Sequence, residues 1–471
     1  MCSFLFSRTT ALLSDSEIEC ANRYARHRGP DGVGLLRRVD DAGMHILYLH
    51  NLLDISGEGC RQPLCDQSAE EGNVALFNGE IYNFRALGAE ACDSECLLPR
   101  YAQVRDQLSR ELDGEYSVVI HDWAHNSVLV FSDPFLTKPL FFGRRSNSLD
   151  FGVATCASSL TAIGLDRIDM AEPNTAYRIH FGPSGTVETK AADLVTFSVR
   201  QHRSDYDAWT DALLRAVHKR ALHGRQRAAV FLSSGYDSGA ICLALNLAGI
   251  GYDTFSVDAG EEPNILTERI RLNLAASCGS AYRVPGLEPA EVARVAEEIA
   301  RDTEPFEYHH QDAPGLVSNL RSDGGALGAH VLAELARTRR CLVNLSGTGA
   351  DEIISDYGFA GSKFYFHSQF GGLFPEDLAS IFPWKKFFGD TQRSYLFKDE
   401  FVIGRHGIEG RYPFLDKQLV QEFLSLSAVL KNRTYKAPLE HFLMTNGYPF
   451  EPMMKRGFSP HREKPGVTER R

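Results

Sequence analysis

The sequence predicts two domains of different fold class, a β-rich first part followed by an α/β part built on a doubly wound parallel sheet. Three observations lead there. Through residue 196, short apolar runs alternate in period two and are separated by turns. At SDYDAWTDALLRAVHKRALHG (204–224) the period becomes helical. Beyond it, apolar strand-like runs and helix-like runs take turns, the pattern of a parallel sheet wrapped by helices. The change of period places the domains at 1–196 and 206–471, and 471 residues exceed what one simple core takes.

Taken in order, the strand candidates of the first part are MHILYLHNLL, NVALFNG, YSVVIHDW, SVLVFSD, PLFFGR and TAYRIHF. DSECLLPRYAQVRDQLSREL (93–112) reads as one helix among them. The second part reads AAVFLSS as a strand, GAICLALNLAG as a helix, YDTFSVDAG as a strand and LTERIRLNLAASCG as a helix. A further strand is expected at 341–345, and PHREKPGVTERR at the end reads as a solvated tail.

Composition narrows the class. A hydrophobic fraction of 43% and a charged fraction of 24% are those of an ordinary globular protein. The net charge of -11 argues against nucleic acid as a phosphate-driven partner. AICLALNLAGI is too short to span a bilayer, and the N-terminus lacks the basic start and long apolar core of a signal peptide. Cys60/Cys65 and Cys92/Cys96 lack a second ligand cluster at zinc spacing, so the ten cysteines are expected to be reduced thiols of a cytoplasmic protein. A homodimer is left open.

Two stretches carry chemistry. AAVFLSSGYDSGAICLALNL ends a strand at Leu232, turns through Ser233, Ser234, Gly235, Tyr236, Asp237 and Ser238, and starts a helix. Small residues let backbone N–H groups approach an anion, and the helix N-terminus adds its dipole. A Walker-type Lys is missing, so a simple kinase or GTPase loop is excluded. Asp237 inside an anion loop calls for a cation such as Mg²⁺ between carboxylate and phosphate. In CLVNLSGTGADEIISDYG, Ser346, Gly347, Thr348 and Gly349 follow the next such strand, then Asp351 and Glu352. Both loops belong at strand carboxyl ends, where ligands of doubly wound sheets collect. Each stretch, taken alone, also fits an ordinary βα turn with a capping side chain. Lys455 in PMMKRGFSP offers a compact charge to a phosphate or oxyanion, or is a plain surface lysine. At the other end stands MCSFLFS, where removal of Met1 leaves Cys2 with a free α-amine beside its thiol, a nucleophile with its own base.

The ordered set of motifs resembles the asparagine synthetase family. FLSSGYDS is similar to its SGGxDS pyrophosphate loop, LSGTGADE to its SGEGSDE loop, HGIEGRYPFLDKQL to its VEARVPFLD segment and KRGFSP to its KxxFS element. RHRGPDGVG, FNGEIYNFRAL, ACDSECLL and SDPFLTKPLFF match its first domain in the same order. The resemblance implies an N-terminal-nucleophile glutaminase, an αββα sandwich, followed by an ATP pyrophosphatase domain. It implies Cys2 as nucleophile, Asn78 and Gly79 as the oxyanion hole, and Glu80 and Asp93 as holders of the glutamine α-amine. In the second domain it implies a carboxylate acceptor adenylated by ATP. Pyrophosphate would lie on Ser233, Ser234, Gly235, Asp237 and Ser238, with AMP contacts at Leu232, Val257, Ser346 and Gly347. Mg²⁺ would sit on Asp237 and Asp351, and Lys455 would steady the transition state. Ammonia then displaces AMP to give an amide.

The chain departs from that pattern twice. No Arg lies between Arg38 and Arg61, where the family binds the glutamine carboxylate; Arg26 and Arg61 are the substitutes in reach along the sequence. Thr348 stands where asparagine-forming members carry Glu, and a hydroxyl is no base near neutral pH; Glu352 and Asp356 are the nearby carboxylates. These departures leave open a different amide donor, and a specialised amidation or ring closure on another carboxylate as the alternative to asparagine synthesis.

Overall fold

The computed structural model describes residues 2–55, 60–66, 72–183, 185–222, 227–309, 317–456 and 460. The expected C-terminal tail, apart from Pro460, lies outside the described residues, as do Gly457–Ser459 of the KRGFSP stretch. The chain divides into two compact units, Met1–Thr196 and Phe197–Arg471.

The first unit holds two six-stranded antiparallel sheets. One runs, in spatial order, Arg167–Met170, Phe141–Arg144, Phe151–Ala154, Ser3–Thr9, His45–Leu52, Gly32–Val39. The other runs Gly185–Ala192, Thr175–Gly182, Ser127–Ser132, Gly114–Asp122, Val74–Ile81, Leu64–Cys65. Phe6 and Tyr48 of the first sheet pack against His121 of the second, edge-on and tilted with centroids 5.6 and 6.0 Å apart, so the sheets share one core layer. Helices Asp15–Ala21 and Ala157–Ala162 cover one outer face, and Leu97–Val104 covers the other with Leu97 and Tyr101 against Ala75 and Phe77. This is the αββα layering that the motifs imply.

All six strand candidates are strands. The segment Ser3–Thr9 escaped the period-two reading because all seven of its residues are buried, so nothing alternates. The single helix expected at 93–112 is four short pieces, broken where Arg105 takes φ 52. The expectation of ten reduced thiols is corrected: Cys60 and Cys92 form a disulfide with Cα atoms 6.4 Å apart. Local spacing paired these cysteines with Cys65 and Cys96, whereas the fold brings the two loops together across 32 residues.

The second unit centres on a five-stranded parallel sheet ordered Cys278–Pro285, Tyr252–Asp258, Ala228–Phe231, Val343–Leu345, Glu409–Arg411. The chain starts in the middle, winds outward one way, then returns to wind the other way. The reversal falls between Ala228–Phe231 and Val343–Leu345, and the loops leaving these neighbours open a crevice at their carboxyl ends. Helix Tyr236–Ala248 leaves the first loop and packs against Asp207–Leu222 and Ala437–Thr445. Among the described residues no helix is long and apolar enough to cross a membrane.

Candidate active sites

In the first unit, Cys2 stands directly before a central strand. The Leu53 N–H donates to its Sγ at 3.5 Å, and Arg28 Nε donates to its backbone oxygen at 3.3 Å. Ser3 Oγ donates to the Ala25 carbonyl and accepts from Asn51 Nδ2, both at 2.8 Å. The chain start is thereby tied to the 25–28 and 51–53 segments rather than left to fray.

Asn78 and Gly79 lie on Val74–Ile81 of the other sheet. The residue before them is pinned from both sides: Gln62 Oε1 accepts from the Phe77 N–H at 2.7 Å, and His50 Nε2 donates to the Phe77 carbonyl at 3.1 Å. Burial pushes His50 down to about 4, so it stays neutral and keeps that N–H. The Asn78 amide is fully buried, yet neither its oxygen nor its nitrogen has a partner among the described residues. Gly79 has φ +132, and a Cβ there would lie 1.9 Å from the Glu115 carbonyl, so only glycine fits. Glu80 and Asp93 are buried, and Asp93 Oδ2 accepts from the Ile81 N–H at 2.9 Å.

The arginines fall differently from the sequence expectation. Arg26 is exposed in a surface hollow with Asn22 and Leu35, and Arg61 is exposed too. The buried guanidinium at the chain start is Arg28. Sequence position could not separate the two arginines of RHRG; the short 3-10 helix Ala25–His27 turns Arg26 outward and Arg28 inward.

In the second unit the two strand-end loops touch. A Cβ on Gly347 would meet the Asp237 Cβ at 2.8 Å, which is why position 347 carries none. The first loop is braced internally: the Ser233 N–H donates to Ser238 Oγ at 3.0 Å, and the Gly235 N–H donates to Ser233 Oγ at 3.1 Å. Ser234 gives both its N–H and its hydroxyl to Glu261. Arg269, fully buried, donates to the Ser233 and Gly235 carbonyls at 2.7 Å each. Gly239 leaves room for that guanidinium, which a Cβ would meet at 2.6 Å.

Asp237 and Asp351 face one another across two lysines. Lys436 Nζ reaches Asp237 Oδ1 and Oδ2 at 2.7 and 2.8 Å and Asp351 Oδ1 at 2.8 Å. Lys455 donates to Asp351 Oδ2, and the Tyr435 hydroxyl to Asp351 Oδ1 at 3.1 Å. Burial raises Asp237 against the pull of Lys436. For Asp351 burial works upward as well, but Lys436 and Lys455 overcome it and hold the carboxyl far below its usual range. Burial alone would lower Lys455; Asp351 and Asp237 reverse this and hold its ammonium above the ordinary range. Two carboxylates from facing loops are hard oxygen donors of the kind a divalent cation takes, so the residues present fit Mg²⁺.

A cavity of about 450 Å³ opens over these groups, with Ser233, Asp237, Ser238, Ser346, Gly347, Thr348, Asp351 and Lys455 in its wall. Leu232 and Val257 are buried at the strand ends and are not among the wall residues. Glu352 accepts from the Tyr357 hydroxyl, and burial, with Asp351 next to it, pushes it up to about 7. Asp356 accepts from Ser368 Oγ and the Gln369 and Phe370 N–H groups and pairs with Lys386 at 3.2 Å, so it anchors a loop. Sequence reading missed Lys436, whose place depends on left-handed φ 49 before helix Ala437–Thr445, and Asp399, which holds Thr348. TYKAPL carries no signal for the first beyond a Lys before a helix-starting Pro.

Comparison with known proteins matches residues 1–178 to the glutamine amidotransferase domain and 208–402 to asparagine synthase. A putative glutamine-hydrolysing asparagine synthetase of Methanocaldococcus jannaschii is 25% identical over 87% of this chain and 78% of that protein. The glutamine-hydrolysing asparagine synthetase of Gallus gallus is 24% identical over 79% and 68%, and one from Bacillus subtilis 26% over 76% and 59%. Among solved structures, the glutamine phosphoribosylpyrophosphate amidotransferase of B. subtilis aligns over 97% of this chain and 99% of that one, at 13% identity and a TM-score of 0.35.

Proposed function

We propose a division of labour from one premise: the chain belongs to the glutamine-hydrolysing asparagine synthetase family. It is accordingly an ATP-utilising, glutamine-dependent amide ligase. In our reading the first unit releases ammonia. The Cys2 thiol attacks the glutamine side-chain amide while its own α-amine takes the thiol proton. Asn78 Nδ2 and the Gly79 N–H donate to the oxyanion, and Glu80 and Asp93 hold the glutamine α-ammonium.

In the second unit the loop 233–238, braced at Ser233, Ser234 and Gly235, presents the N–H groups at the start of its helix to the ATP phosphates. The acceptor carboxylate attacks the α-phosphorus, pyrophosphate leaves, and Lys455 offsets the negative charge that builds. Leu232, Val257, Ser346 and Gly347 belong to the AMP side. Asp237 and Asp351 would hold Mg²⁺, whose charge offsets that of the departing pyrophosphate. Ammonia then displaces AMP and leaves an amide. A carboxylate is a poor electrophile, and adenylation supplies the leaving group. A cytoplasmic setting, where glutamine and ATP are both at hand, belongs to the same reading.

The observation that carries this reading is the contact of the two strand-end loops, Gly347 against Asp237, with Lys436 bridging both carboxylates and Lys455 on Asp351. The test is pyrophosphate release from ATP against a panel of carboxylic acids, aspartate first, with glutamine or ammonium supplied. Release that requires an acid, with the matching amide as product, is expected. ATP left intact with every acid would refute it.

A further inference from the structure

The cavity wall holds a carboxylate that neither the phosphate loop nor the lysine pair uses. Asp399 lies on helix Thr391–Gly404, which packs on Gly324–Thr338 and on the edge strand Glu409–Arg411. Its Oδ2 accepts two hydroxyl protons, from Thr348 Oγ1 at 2.7 Å and Ser346 Oγ at 2.9 Å. Its Oδ1 accepts no hydrogen bond among the described residues. Ser346 is the direct neighbour of Gly347, which touches Asp237, so Asp399 stands one hydrogen bond from the loop contact.

The neighbouring carboxylates are engaged elsewhere. Asp323 caps its helix at the Ala326 N–H, accepts from the Tyr308 hydroxyl and faces Lys398 at 3.4 Å. Glu352 accepts from Tyr357, and Asp356 anchors its loop. Thr348 has committed its hydroxyl proton to Asp399, and a neutral hydroxyl does not take protons near neutral pH. Burial raises the affinity of Asp399 for a proton, as does Glu400 beside it, while Lys398 and the two hydroxyls pull the other way, and the net shift is upward.

We propose that Asp399, steered by Thr348 and Ser346, takes the proton that ammonia must lose when it attacks the acyl-adenylate. The proposal rests on the ligase reading above. In the step, the nitrogen lone pair forms the C–N bond, and the C–O bond to AMP breaks with its electron pair leaving on the AMP phosphate. One N–H proton passes to Asp399 Oδ1 and from there to solvent. The carboxylate that the family carries at position 348, in the turn after strand Val343–Leu345, is thus delivered from helix Thr391–Gly404.

The experiment separates the two half-reactions, with ammonium chloride as donor so that the first unit is bypassed. ATP–pyrophosphate exchange reports adenylation of whichever panel acid the wild type accepts; amide formation reports amination. In D399N, exchange is expected to stay within about threefold of wild type, while amide formation falls about 100-fold or more, the range for a lost general base. T348A should lose about tenfold, through misdirection of Asp399. Moving the carboxylate, T348E in a D399A background, should regain at least roughly tenfold over D399A alone. Amide formation unchanged in D399N, or exchange and amide formation falling together, overturns the proposal. Wild-type protein that exchanges with no acid overturns the ligase reading itself, before any variant is made.

Discussion

The two candidate sites handle polarity in opposite ways. In the first unit the Asn78 amide is buried with no partner among the described residues, and the buried Arg28 donates to the backbone of Cys2. In the second unit charge is paired before any substrate arrives: two lysines hold two aspartates, and an arginine holds the loop carbonyls. On the proposed reading, the contrast follows from what each site binds. An oxyanion that exists only in the transition state is best met by uncharged, fixed donors, which cost nothing to reorganise. A polyphosphate arrives fully charged, so its site needs strong cations, and these need anions to keep them in place when the site is empty.

Cys2→Ala tests this contrast hardest. Glutamine-dependent amide formation should fall by a factor of roughly 10³ or more, while ammonium-dependent formation is kept. Glutamate release measures the loss, and equal loss with both donors would show that the two sites do not work separately. Lys436→Met comes next. It leaves two buried carboxylates facing each other, an expected destabilisation of about 3–5 kcal/mol by chemical denaturation, shrinking as Mg²⁺ is added. Asn78→Ala should lower glutamine hydrolysis by about 10²–10³ with the melting temperature unchanged, because among the described residues this amide has no partner to lose.

Gly347→Ala is a smaller intrusion. Its methyl meets Asp237, and a cost of about 1–3 kcal/mol is expected, with a raised KM for ATP in the exchange assay. The smallest effect concerns pH. His50 falls from its ordinary 6.5 to about 4 through burial. Its contribution to stability is therefore full above about 6.5 and is lost as pH falls toward 4. Protection factors for amide exchange at 45–52 and 74–81, taken against the intrinsic rate at each pH, should fall over that window, and His50→Gln should flatten the trend.

Much of the fold was legible from the chain because half-buried strands alternate and strand–turn–helix units announce themselves. TAYRIHF and GAICLALNLAG are such cases, found as strand Thr175–Gly182 and helix Tyr236–Ala248. Ser3–Thr9 was not legible, since burial on both faces removes the period. The 233–238 loop and Asp351 could be named because small residues and carboxylates cluster locally at strand ends. Lys436, Arg28 and Asp399 could not, since each reaches its partner from a distant part of the chain or through a local turn the sequence does not announce.

The sequence by itself determined the order of the two domains, the resemblance to a family and the local composition of each loop. Those depend on neighbours a few residues apart, and spacing along the chain encodes them. Only the tertiary structure decided which charges meet. Lys436 lies 199 residues from Asp237, and Asp399 lies 51 from Thr348. Cys60 found Cys92 rather than Cys65. Such meetings are set by how helices pack on a parallel sheet and how loops fold over a sandwich, and no local spacing carries that information.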